Sequence, residues 1–194
     1  MRKLASIAML ALIAACAEPP MAQQEGLTVS TNSNMPRGIQ RTDGHGPVLV
    51  SVAGSALCGP LPAAETGYAL SHTNAVRKQA GLPPLQLNAK LQKAAELQAC
   101  DMAGRGVMEH RGARSAGPGA RVKQLGYRPR ITAENIAAGA SSIFDLNGAM
   151  REWTSSARHR QNMVIPQLRD MGIGRALSPD GRVAYWSVVY SAPK

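Results

Sequence analysis

The clearest helical stripe in this chain runs through Leu91, Ala94, Ala95, Ala99 and Met102, at i, i+3, i+4, i+8 and i+11 on one face. Asn88 stands ahead of it as a good N-cap, with a side chain suited to the first unpaired amides. Glu65 to Ala80 predicts an earlier helix, with Ala69, Ala75, Val76 and Ala80 as apolar spots and Gly81 as its stop. Pro83-Pro84 then forces an extended link. Ala120 to Leu125 reads as a short helix ending at Gly126. Asp145 to Ser155 reads as another, with Leu146, Ala149, Met150 and Trp153 on one side. Ile131 to Ala138 has strand character, and Glu134 is its odd residue. Met171 to Leu177 and Arg182 to Tyr190 are two further strands, joined into a hairpin by the turn residues Ser178-Pro179-Asp180-Gly181. Helices before and between strands, with antiparallel pairing at the end, predict one α+β layered domain over residues 61–194.

Upstream of that domain neither period is present. From Ala17 to about Gly46 the chain is polar and rich in Ser, Thr, Asn, Gly and Pro, which predicts a flexible tether over 16–60. Pro47 to Ala53 could add a short strand to the domain edge. At the start, Arg2 and Lys3 precede an apolar run from Leu4 to Ala15, of signal-peptide length and too short to span as a helix. Residues 1–15 are therefore read as an export signal. Ile13-Ala14-Ala15-Cys16 resembles the lipobox of bacterial lipoproteins, which implies cleavage before Cys16 and lipidation of its thiol. An ordinary signal cut after Ala17 or Ala22 is the alternative. Ala17 and Glu18 put no aspartate after Cys16, which by resemblance to other lipoproteins favours the outer membrane, facing the periplasm; secretion is the other destination.

Composition sharpens this picture in two respects. The chain has three cysteines, and an exported chain favours even numbers. With Cys16 lipidated, Cys58 and Cys100 remain, either bridged in an oxidising compartment or present as two buried thiols. No metal site on cysteine is suggested, since neither has a second cysteine in CxxC spacing. Net charge is +10, and Arg105, Arg111, Arg114, Arg121, Lys123, Arg128 and Arg130 crowd one stretch. An exported protein meets little nucleic acid, so the candidate partners are an envelope protein, anionic lipid or wall polymer, with a merely solvated basic face as the plain alternative. The membrane is reached through Cys16, and the chain is read as a monomer.

The motifs GLPPL, LQKAAELQACDMA, the loop around His110, GARVKQLGY, AENIAAG, EWTSSARHRQNM, MGIGRAL and YWSVVY follow one another in an order that resembles the CAP superfamily, in its bacterial branch. This superfamily comprises cysteine-rich secretory proteins, antigen 5 and pathogenesis-related class 1 proteins. The resemblance spans about Tyr68 to Tyr190 and implies a three-layer α-β-α sandwich with a central antiparallel sheet. It also implies a cleft with two histidines and two acids, in which His110, Glu134 and His159 match the first histidine, first acid and second histidine. The second acid is replaced by Ser156, which cannot supply charge. Glu152, one helical turn earlier, is the candidate compensating acid. The pocket is therefore His110, Glu134, Ser156 and His159.

Two imidazoles and a carboxylate are zinc-type ligands, so His110, His159 and Glu134 are the expected metal set. The reading requires no cofactor, and zinc or another divalent cation is the one the tetrad admits. A purely structural hydrogen-bonded cluster is the alternative, and the two are compatible. The residue types also permit a hydrolase with Ser156 or Ser155 as nucleophile and His159 as base. No nucleophile elbow or oxyanion loop accompanies them, and no residue is assigned as catalytic. His72 and His45 do not match the tetrad; the first is placed on a helix and the second in the tether.

Overall fold

The computed structural model describes residues 39–194, so the expected signal over 1–15, Cys16 and the first half of the expected tether lie outside the described residues. In chain order the elements are β1 (Ile39–Arg41), β2 (Val48–Leu49), β3 (Leu57–Cys58), α1 (Ala63–Gln79), β4 (Gln86–Leu87) and α2 (Ala89–Arg105). They continue with β5 (Val107–Met108), α3 (Pro118–Gln124), β6 (Pro129–Ala140), α4 (Leu146–Ser155), α5 (Ala157–Met163), β7 (Asp170–Leu177) and β8 (Val183–Pro193). The main sheet has the order β1-β6-β8-β7-β3, with β4 also on β7.

The expected antiparallel centre is β6-β8-β7, but the edges are mixed. β1 runs parallel to β6, and β4 parallel to β7. β2 and β5 form a separate two-stranded ribbon. Pro47 to Ala53 thus contributes a strand of two residues, on that ribbon and not on the main sheet.

Alternation along β8 separates the two helical layers. Ala184, Trp186, Val188, Tyr190 and Ala192 pack with Ala69, Val76, Ala149, Met150 and Trp153 of α1 and α4. On the opposite face, Val189 packs with Leu91, Ala94 and Ala95, and Tyr185 with Ala99 and Met102, all of α2. The predicted α2 stripe is fully buried, and Asn88 caps the helix by accepting from the amides of Lys90 and Leu91. Glycine is required where α2 meets β7. A Cβ on Gly172 would lie 2.0 Å from the Gln92 amide nitrogen, and one on Gly174 2.3 Å from that of Glu96. Gln92 uses this proximity, donating to the Ile173 carbonyl and accepting from the Ile173 amide.

The expected tether is corrected from Ile39 onward. Ile39, Gln40 and Arg41 pair with Ile131, Thr132 and Ala133, and Asp43 is buried. The segment's polar composition concealed this, because its fixed points are hydrogen bonds to distant residues rather than an apolar period. Its far end is held by a disulfide between Cys58 and Cys100 on α2.

Candidate functional site

β1 stops at the pair Arg41–Ala133, which leaves the next stretch of the β6 edge open to side chains. Helices α4 and α5 fill it: Trp153 Nε1 donates to the Ile136 carbonyl, and Asn162 Nδ2 to the carbonyl of Glu134. Asn135 Nδ2 returns a bond to the His159 carbonyl. These bonds place α5, and with it His159, beside the end of β1. The Glu134 side chain leaves the opposite face of the strand, toward α3.

Glu134 is fully buried. Its Oε1 accepts from Arg121 Nη2 at 2.5 Å and from Ser187 Oγ at 3.1 Å, and its Oε2 accepts from His110 Nδ1 at 2.8 Å. The other ring nitrogen of His110 donates to Asp43 Oδ1 at 2.8 Å. Asp43 Oδ2 in turn accepts from His159 Nε2 at 3.0 Å. A continuous chain, Arg121–Glu134–His110–Asp43–His159, thus passes around the sheet edge from the α2/α3 layer to the α5 layer.

With a carboxylate at each nitrogen, His110 carries both protons and sits as an imidazolium between two anions. Burial alone lowers its pKa; hydrogen bonds and charge from Asp43 and Glu134 more than offset this and raise it to about 9. Burial pushes the Asp43 carboxyl upward, yet hydrogen bonds from His110 and His159 hold it well below the usual carboxylate range. Glu134 behaves likewise: burial raises it, and the Arg121 charge together with His110 brings it below its ordinary value. Arg121 and His110 balance Glu134 and Asp43, so this part of the network is charge-neutral.

His110, Glu134 and His159 therefore converge as expected, but the second acid is Asp43, from a segment expected to be a tether. Glu152 does not take that role. It is exposed on α4, and its side chain has no hydrogen bond or ion pair among the described residues. Ser156 is half-buried at the α4–α5 junction, where its carbonyl accepts from the Arg160 amide. Neither it nor Ser155 is hydrogen-bonded to His159; the Ser155 hydroxyl donates to the Glu152 carbonyl. His72 lies apart from the site, bonded to Thr154 across the α1–α4 contact.

The expected metal set of His110, His159 and Glu134 is also redistributed. Both His110 nitrogens are engaged with carboxylates, which leaves that ring no lone pair for an ion. Instead, one ligand atom each from Asp43, His45 and His159 lies within 4.8 Å of the others. His45 is exposed and stacks on His159 with ring centroids 5.6 Å apart. Gly44 permits this turn with a left-handed φ of 81°, and the His45 amide donates to Asp43 Oδ1. His159 Nδ1 is buried with no hydrogen-bond partner among the described residues. An acid and a histidine two apart, separated by glycine (Asp43-Gly44-His45), was the signal that could have revealed the pair.

Of the basic stretch, Arg121 is spent on Glu134, and Arg105 pairs with Asp101 and Glu109. Lys123 and Arg128 instead line an open cavity of about 570 Å³ together with Tyr127 and Lys194.

Residues 70–190 match the family model described as CAP, the cysteine-rich secretory protein family. An uncharacterized protein of Bacillus subtilis, YkwD, is 30% identical over 102 residues, which is 53% of this chain and 38% of that protein. The chain thus spans well under half the length of this relative. Among solved structures, an outer surface protein from Borrelia burgdorferi aligns with a TM-score of 0.61 at 19% identity, covering 73% of this chain and 99% of that one. An extracellular protein containing a SCP domain from Bacillus anthracis aligns with a TM-score of 0.57 at 22% identity, covering 69% and 45%. Both likenesses are of fold.

Proposed function

This chain belongs to the cysteine-rich secretory protein (CAP) family, and from that premise we propose that it is a binding module of the bacterial cell envelope whose cleft takes one divalent cation through Asp43, His45 and His159. The observation that carries this reading is the approach of those three ligand atoms to within 4.8 Å. Two imidazoles and a carboxylate form a zinc-type donor set that leaves a position open. The unpartnered, buried Nδ1 of His159 fits a site with spare ligand capacity. A bound cation would act as a Lewis acid, offering its open position to a donor atom of a partner or small ligand. Around it, Asp43 fixes the orientation of His159, and the Glu134–Arg121 pair fixes His110, which in turn holds Asp43.

Export and lipid anchoring at Cys16 complete the proposal and rest on the charged, apolar and small-residue pattern of residues 2–16. No helix among the described residues is long and apolar enough to cross a membrane. The cavity lined by Lys123, Arg128 and Lys194 suits an anionic envelope component as partner.

Calorimetric titration with zinc sulfate tests the central claim. Wild type should bind one ion at micromolar or tighter affinity, and His45→Ala should weaken binding at least ten-fold, about 1.4 kcal/mol. Absence of binding, or equal affinity in the variant, would overturn it.

A further inference from the structure

We propose that the cation is a clamp: it fastens the segment 39–45 to the body of the domain, so that ion occupancy sets whether the sheet edge and the cleft are closed or open. The inference rests on the cation reading above and adds a mechanical consequence to it.

The ligand set is divided between two parts of the chain. Asp43 and His45 come from the segment, whereas His159 comes from α5. The segment lies outside residues 70–190, the span that matches the family, so two of the three ligands come from a part of the chain beyond that match. Its attachments are few: a three-residue parallel pairing with β6, packing of the half-buried Ile39 against the main core, a bond from the Gly119 amide to Gln40 Oε1 at 3.0 Å, and the two histidine bonds of Asp43. Further along, the chain is fixed independently by the β2–β5 ribbon and by the Cys58–Cys100 disulfide. Residues 39–45 can therefore detach without disturbing those points, uncovering the β6 edge at Ile131–Ala133 together with His110 and His159.

An ion that uses ligands from both parts binds the docked state and has no complete site in the released one. Its whole affinity for the three-ligand site is then coupling energy between segment and body. At about a hundred times its Kd such an ion raises the ratio of docked to released segment about a hundred-fold.

Hydrogen–deuterium exchange on the full chain, without zinc and with zinc sulfate at about a hundred times the Kd, reads this directly. Amides of 39–45 should exchange at least ten-fold more slowly with zinc in wild type. In His45→Ala, which removes an exposed ligand and leaves the core untouched, the slowing produced by the same zinc concentration should fall in proportion to the lost affinity, about ten-fold or more below wild type. Gln40→Ala provides headroom if the wild-type segment is already well protected. It loses the Gly119 contact, should exchange faster without zinc, and should regain protection with it. Zinc binding by calorimetry with unchanged exchange in both wild type and Gln40→Ala would overturn the clamp and leave the cation site standing. Absence of zinc binding would overturn both.

Discussion

His110 Nε2 donates to Asp43 Oδ1 at 2.8 Å across 67 positions of sequence, and this bond closes the site. It joins a loop between α2 and α3 to a segment that local patterning reads as unstructured. Its consequences are thermodynamic before they are functional, because both partners are buried and charged.

Alkaline pH acts on this bond through His110. The His110 pKa is raised from 6.5 to about 9 in the folded protein, so its contribution is fully present below about 6.5 and is lost as pH rises through about 9. That shift corresponds to at most about 3 kcal/mol. Urea denaturation from pH 6 to pH 10 should show the loss, and His110→Gln should flatten that limb. A wild-type profile level across this range would count against the imidazolium assignment.

Acid acts through the other partners. Asp43 and Glu134 are both held below their ordinary values, so their contributions are present above roughly pH 4 and disappear as pH falls through the depressed folded values. Glu134→Ala should be the most damaging single change in the site, since it strands Arg121 and His110 in the interior. About 3–5 kcal/mol is the scale for breaking a buried pair from one side. Chemical denaturation of Glu134→Ala and Arg121→Ala checks this; losses below 1 kcal/mol in both, far under the buried-pair scale, would mean that water reaches the pair.

Most of the layered fold was legible because its elements are amphipathic in their own sequence. The α2 stripe, the Asn88 cap and the Ser178–Gly181 turn each specify their geometry within a few residues. His110, Glu134 and His159 were legible through motif order. Asp43 and His45 were not: nothing within the segment buries Asp43, and its partners lie 67 and 116 positions away. Helix α5 escaped for a related reason. Its seven residues, Ala157–Met163, carry no apolar stripe and are held by Asn135 and Asn162 instead. Glu152 was drawn in by helical spacing alone, which places a residue near a face but cannot turn an exposed side chain inward.

The contact between α2 and β7 gives a packing prediction. Gly174→Ala places a methyl 2.3 Å from the Glu96 amide nitrogen, a backbone atom that can yield only by moving the helix. The expected loss is about 1–3 kcal/mol or more, with α2 displaced from the sheet. Gly67→Ala, on α1 with no atom within 4 Å of the added carbon, should be neutral or slightly stabilising and serves as the matched control. Equal thermal midpoints for the two variants would mean that the helix-to-strand approach is looser than described.

The Cys58–Cys100 bridge closes a loop of sequence separation 42, which in the chain-entropy model stabilises by about 4 kcal/mol. Its effect should also be directional. The bridge holds β3, a two-residue strand whose Leu57 and Cys58 are both exposed, against β7 and α2, so little else retains that strand once the bond is cut. Cys58→Ser paired with Cys100→Ser should lower the denaturation midpoint and speed amide exchange in 54–60, while exchange in β6 and β8 slows or quickens only with global stability. If the double variant lost stability without local loosening at β3, the bridge would be acting on the unfolded chain alone, and the segment before α1 would be held by the Val50 and Ser51 amides on the Gly106 carbonyl.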